Sequence, residues 1–263
     1  MSVAARLFHA ITFKQEATDS EGVRREYMTA ADSRFLERFG EPLNFEDKTV
    51  LDVGCGAGRL CIAAARMGAQ HVVGADIRIE QAPGYLAKHG QDVLDKVEFL
   101  QTAGDLTELE GREFDVVVSK DSFEHYSDPE LMVHKLGALT RPGGEILIGF
   151  GPLWKSPTGG HIGYMTRVPW AHLIFPEAVI MGERRRFRPD EDAEHWSEVA
   201  GGLNQMTYAR FRSILASSEL RCRYIAANVS ENPYMRPMRA LSKVPGLQEY
   251  FTHNVYAILQ KPA

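Results

Sequence analysis

Three glycines at alternate positions, Gly54, Gly56 and Gly58, close the segment Val50-Leu-Asp-Val-Gly-Cys-Gly-Ala-Gly-Arg-Leu60. Glycine lets a backbone turn sharply and lets a ligand approach with no Cβ in the way, so this segment is a candidate cradle. Its spacing, GxGxG, differs from the GxGxxG that seats a dinucleotide pyrophosphate on a helix N-terminus. Acids stand at three related places: Asp52 two positions before the first glycine, Asp76 ending Val72-Val-Gly-Ala-Asp, and Asp105 in Ala103-Gly-Asp-Leu106. Asp76 occupies the position where a carboxylate accepts both hydroxyls of a ribose, a requirement that an NAD enzyme would share. Two histidines, His125 and His161, carry imidazoles that titrate near neutrality and suit general-base work.

These residues need elements to hold them. Short apolar runs rich in β-branched residues, Thr49–Val53, Val72–Ala75, Val97–Leu100, Phe114–Ser119 and Glu145–Phe150, read as buried parallel strands. Helical segments are predicted over Gly58–Met67, Ile79–Lys88 and Pro129–Leu139, the last with Asp128 as N-cap. An earlier helix is predicted over Glu21–Phe39, ended by Gly40 and Pro42. Alternation of strand and helix implies a doubly wound α/β sheet with helices on both faces. After Phe150 the alternation stops for about fifty residues, and so long an irregular stretch reads as a lid or binding insertion. A helix near Gln205–Ser217 and strands Cys222–Ala227 and Asn254–Gln260 complete a mostly parallel seven-stranded sheet whose last strand is antiparallel.

The strand, GxGxG and preceding acid resemble motif I of class I S-adenosylmethionine-dependent methyltransferases, in the branch acting on small molecules. The resemblance continues through Phe114-Asp-Val-Val-Val-Ser119, Phe123-Glu-His-Tyr-Ser-Asp-Pro129 and Leu139-Thr-Arg-Pro-Gly-Gly-Glu-Ile-Leu147. It implies S-adenosylmethionine as cofactor, held by Asp52, Gly54, Cys55, Gly56, Gly58, Asp76, Ile77, Gly104, Asp105, Leu106 and Lys120. Asp52 suits the cationic amino-acid end of such a molecule, where a phosphate would be repelled. The family's pattern sets Asp105 against the adenine amino group, and Lys120 is expected to contribute backbone contacts.

Methyl transfer from a sulfonium is an in-line displacement, so the chain must mainly position the acceptor and exclude water. In an open parallel sheet the ligand lies outside the carboxyl ends of the strands. His125 follows strand four, and His161 stands in the segment after strand five; either is a candidate base, or a histidine that merely bonds its loop. The insertion starts with Trp154, Tyr164 and Trp170, expected as aromatic walls of an acceptor pocket, with Gly159 and Gly160 allowing close approach. His172 is expected to be structural. No metal is expected, since the two histidines lack acidic ligands at a recognisable spacing. The predicted organisation is a helical segment 1–46 covering the cofactor site and a methyltransferase domain 47–263, with 151–204 as a substrate cap.

Among 263 residues the formal net charge is −5, which gives no general attraction to nucleic acid. The basic run Arg184–Arg188 is followed by Asp190, Glu191, Asp192 and Glu194, so it reads as a solvated, mutually paired surface. Cys55, Cys61 and Cys222 form no CxxC pair, which favours a reducing compartment. No stretch approaches the ~18 consecutive apolar residues of a membrane span, and no signal peptide is apparent. The expected setting is therefore cytoplasmic, as monomer or homodimer, with neither nucleic acid nor membrane as partner. The favoured activity is methylation of a hydroxyl or carboxyl oxygen of a small, partly aromatic or apolar metabolite; N-methylation and a catalytically silent binding protein on the same fold stay open.

Overall fold

Seven β-rich segments pair into one sheet: β1 (Thr49–Val53), β2 (His71–Asp76), β3 (Val97–Gln101), β4 (Phe114–Lys120), β5 (Thr140–Phe150), β6 (Arg221–Ala227) and β7 (Val255–Gln260), in a computed structural model that describes residues 2–13, 35–229 and 235–263. The order is β3-β2-β1-β4-β5-β7-β6. Pairing is parallel from β3 to β5, while β7 runs antiparallel to both β5 and β6. The chain order reverses between β1 and β4, which opens a crevice at the carboxyl ends of those strands.

Alternate side chains of each strand serve opposite faces. Leu51, Val53, Val117, Ile146 and Ile148 join one core, with Met132, Leu136, Phe211 and Ile214 from α4 (Pro129–Ala138) and α7 (Tyr208–Ser217). Val50, Val116, Val118 and Leu147 join the other, with Leu60, Cys61 and Leu86 from α2 (Arg59–Arg66) and α3 (Ala82–His89). Capping sets the helix starts: Asp128 accepts the Leu131 N–H and Thr207 accepts the Arg210 N–H. Of the helix expected over Glu21–Phe39, residues 21–34 lie outside the described residues. Its end is a 3-10 turn, Glu37–Phe39, closed by Gly40 at φ 75°.

The segment 151–204 is not simply irregular. It holds α5 (Ala171–Ile174), the eleven-residue α6 (Glu177–Phe187) and a third apolar cluster that includes Ile162, Met165, Ile180, Met181, Trp196 and Leu203. α1 (Val3–Ile11) packs on it through fully buried Phe8, and Glu183 accepts a hydrogen bond from the Thr12 hydroxyl and pairs with His9. α6 escapes sequence periodicity because its inner face mixes apolar Ile180 and Met181 with charged Glu183 and Arg184. The basic run does pair with its acidic neighbours, Arg184 and Arg188 with Glu191 and Arg185 with Asp192 and Glu194. Arg184, however, is 5% exposed and donates to the Tyr164 hydroxyl, so part of this run is interior.

Candidate functional site

The carboxyl ends of the central strands converge on one cavity of about 640 Å³. Gly54 comes from the turn after β1, Asp76 and Ile77 from the end of β2, Gly104 and Leu106 from the turn after β3, and Ser122, His125 and Tyr126 from the turn after β4. The opposite wall is Gly201–Asn204 with Ser197 and Ala200, the end of the insertion.

The three motif glycines have different reasons to be glycine. A Cβ on Gly54 would stand 2.1 Å from Ser122 Oγ, and one on Gly58 would stand 2.3 Å from the Phe99 ring, so both are demanded by packing. At Gly56, with φ +53°, a Cβ would meet nothing within 4 Å. Of the three, that position alone faces open space, and it lies beside Asp76 rather than among the residues lining the cavity.

Asp76 closes the cradle. Its Oδ2 accepts the Gly56 N–H at 2.8 Å and its Oδ1 accepts the Arg78 N–H at 2.9 Å. Each carboxylate oxygen keeps further acceptor capacity for hydroxyl donors. Asp52 is 2% exposed and accepts from the Cys61 thiol at 3.4 Å, beneath the loop rather than on the cavity wall. Hydrogen bonding with Cys55, then burial and the Asp52 charge, push the Cys61 thiol well above its ordinary pKa. Asp105 also stays off the lining: its Oδ1 accepts the Thr107 N–H and hydroxyl at 3.2 and 2.9 Å, and that hydroxyl bond chiefly lowers its pKa. Lys120 lies beside Asp121, Nζ to Oδ2 3.4 Å, and 5.9 Å over the Phe35 ring.

The fold brings the two candidate bases together, their rings 5.6 Å apart and perpendicular. His125 Nδ1 lies 2.6 Å from the Gly202 carbonyl, which can only accept, so Nδ1 carries hydrogen and the neutral ring keeps its lone pair on Nε2. His161, at φ +53°, has a buried Nε2 with no hydrogen-bond partner. Burial, then neighbouring His125, lower its pKa to about 4, partly offset by a hydrogen bond to the Pro152 carbonyl.

The expected aromatic walls lie elsewhere. Trp154 stacks edge-on with His172 and Trp196, at 4.8 and 5.2 Å. Tyr164 packs on Phe187 and under Arg188, and Trp170 packs on Phe251 while its indole N–H donates to the Lys155 carbonyl. None of the three lines the cavity. Gly159 and Gly160 admit the Leu153 and Trp154 carbonyls and the His172 side chain, not a ligand. His172 is structural in the way expected, Nε2 bonding the Trp154 carbonyl at 2.6 Å.

Sequence reading passed over the residues that join insertion to site. Asn204 donates to the carbonyls of Phe123 and Tyr126, both at 2.8 Å, and its N–H donates to the Glu124 carbonyl at 3.0 Å. Glu124, 4% exposed, accepts from the Gly151 backbone, so both stems of the insertion are tied to one turn after β4. The adjacent pair Gly201–Gly202, with φ of 87° and 69°, was a legible signal for that wall.

Residues 24–151 match a family model described as a methyltransferase domain. A ubiquinone biosynthesis O-methyltransferase of Mesorhizobium japonicum is 41% identical over 107 residues, 40% of this chain and 41% of that protein, so the match spans about two fifths of the curated relative. Magnesium protoporphyrin IX methyltransferase from Synechocystis, solved with S-adenosylmethionine bound, superposes with a TM-score of 0.52 at 17% identity, covering 99% of this chain and 92% of that one. Geranyl diphosphate C-methyltransferase from Streptomyces coelicolor gives a TM-score of 0.56 at 14% identity, covering 90% and 80%. The strand order and the antiparallel β7 are those of the class I methyltransferase fold.

Proposed function

From the match of residues 24–151 to a methyltransferase-domain model, and from a sheet with the class I methyltransferase strand order, we propose that the protein transfers a methyl group from S-adenosylmethionine to a hydroxyl or carboxyl oxygen of a small, partly aromatic or apolar molecule. The observation that carries this reading is one cavity lined by both Gly54 and Asp76, the latter bonded to the Gly56 N–H, and by His125.

The residues present fit the cofactor, since Gly56 leaves open space above its backbone and Asp76 offers acceptor positions beside it. S-adenosylmethionine, when bound, supplies a methyl group on a cationic sulfur. Asp76 accepts hydroxyl hydrogens of the ribose, and Ile77 and Leu106 give the cavity an apolar flank. Asp52 acts from beneath the loop, held by the Cys61 thiol of α2. His125 Nε2 accepts the proton of a hydroxyl acceptor as its oxygen is alkylated, and the Gly202 carbonyl steadies the resulting imidazolium through Nδ1–H. An acceptor already ionised, such as a carboxylate, needs only to be positioned.

The insertion 151–204 serves as the cover of the acceptor, through its end at 197–204 rather than its aromatic start. Of the segment 1–46, expected to cover the cofactor site, helix α1 packs on α6 of the insertion and is assigned to this cover. Incubation with methyl-labelled S-adenosylmethionine and a fractionated host extract tests the proposal. Label in small molecules supports it; label confined to protein or nucleic acid overturns the acceptor class, and no transfer in any fraction favours a silent binding protein.

A further inference from the structure

Twelve large apolar side chains are exposed among the described residues, and eight of them fall on three segments, 2–13, 152–176 and 235–251. In α1, Val3 and Leu7 stand one turn apart at 72% and 59% exposure, and in α5 Leu173 and Ile174 stand at 40% and 61%. The segments touch one another. The Phe8 and Phe175 rings lie 4.9 Å apart, the Phe13 N–H donates to the Met165 carbonyl at 2.8 Å, and Trp170 meets Phe251 at 5.5 Å.

Their charge is as one-sided as their apolarity. Arg6, Lys155, Arg167, Arg236, Arg239 and Lys243 all belong to them, and in a chain of net charge −5 their single acid is Glu249. That carboxylate is turned inward, accepting the Ala209 N–H at 2.7 Å with its other oxygen buried. Lys155 and Arg167 lie over the Tyr250 and Phe13 rings at 5.9 and 5.7 Å, so cations and apolar groups interleave.

We propose that this face, built from α1, α5 with its preceding loop, and α8 (Met235–Leu241) with α9 (Gln248–Phe251), docks on an anionic lipid surface. Protruding aliphatic side chains on a short amphipathic helix, flanked by Arg and Lys, enter the headgroup region while the cations meet lipid phosphates. A second copy fits poorly, because a two-fold contact would set like charges opposite one another. No helix among the described residues is long and apolar enough to cross a membrane. The sequence-level expectation of no membrane partner rested on that kind of segment and does not bear on a peripheral surface.

The test is co-flotation of the whole chain with vesicles of phosphatidylcholine alone and of phosphatidylcholine with phosphatidylglycerol, at low and high salt. Light scattering runs alongside. Binding to the anionic vesicles that weakens with salt is expected, and Leu7→Glu with Ile174→Glu should lower partitioning about ten-fold or more. Arg239→Glu with Lys243→Glu, which leaves the apolar groups in place, should do the same on anionic vesicles. S-adenosylhomocysteine affinity equal to the parent's certifies that each variant is folded. Equal binding to both vesicle types, binding to neither, or partitioning unchanged in both variants overturns the proposal; so does a dimer that the Leu7 and Ile174 changes dissolve. None of these outcomes touches the cofactor assignment, which the affinity measurement reports separately.

Discussion

Glu124→Gln removes a charge that the fold does not solvate. The parent carboxyl is 4% exposed and its Oε2 has no hydrogen-bond partner. Burial foremost, with the Asp121 charge, raises its pKa from 4.5 to about 8 against the backbone hydrogen bonds it accepts. Between those two values the folded chain holds a proton that the unfolded chain releases. Stability therefore falls as pH rises from 4.5 to about 8, by up to ~1.4 kcal/mol per pH unit, and levels off above. Ionising the group in place costs on the order of 5 kcal/mol. Glutamine keeps an oxygen for the Gly151 N–H and never ionises, so the variant should lack this slope. Urea unfolding midpoints of both proteins at pH 5, 7 and 9 measure it, and subtracting one curve from the other cancels every other titrating group. The variant should match the parent within about 1 kcal/mol at pH 5 and exceed it by several at pH 9. Parallel stability curves from pH 5 to 9 would refute the assignment of a neutral, desolvated Glu124.

Gly56→Ala should cost only about 1–2 kcal/mol of stability, the strain of its positive φ, yet abolish measurable S-adenosylhomocysteine binding by calorimetry; retained affinity would show that nothing approaches the backbone there. Asp76→Ala should weaken that binding by about 1–3 kcal/mol, the scale of hydrogen bonds lost to a charged group, and unchanged affinity would remove the ribose role. His125→Ala should lower kcat with little change in S-adenosylhomocysteine affinity once the acceptor is known, whereas equal turnover would return His125 to a loop-bonding role. His161, whose pKa falls to about 4, stays neutral in the folded state while the unfolded ring protonates near 6.5. It should therefore withdraw stability as pH drops from about 6.5 to 4, and His161→Asn, followed by unfolding at pH 4.5 and 7.5, should flatten that decline. The two forms losing stability equally over that interval would count against it.

The sheet was legible in outline because its evidence is local. β1 was placed to the residue and the remaining strands lay within one or two positions at most ends, since buried parallel strands are short β-branched runs. β5 was the exception: it starts at Thr140 rather than Glu145, its first residues being polar and glycine-rich at a register shift against β4. The motif glycines and Asp76 were legible for the same reason, as chain turning and hydrogen bonding at strand ends act over a few residues.

Which residues face the cavity was not legible in this way. Trp154, Tyr164 and Trp170 have the composition of a pocket wall, but the first two pack against the insertion's own apolar cluster and Trp170 packs on Phe251. The wall itself is Gly201–Asn204, whose one local signal is the glycine pair, set there by Asn204 bonding the turn after β4. Likewise His125 and His161 are thirty-six positions apart in sequence and only packing sets their rings side by side. Sequence alone determined the strand ladder, the glycine cradle and the acid at its edge, because each is written in contiguous residues. Tertiary structure alone decided which residues wall the cavity, the buried state of Glu124 and the cationic apolar face, because each joins segments far apart in the chain, and burial belongs to the packed whole.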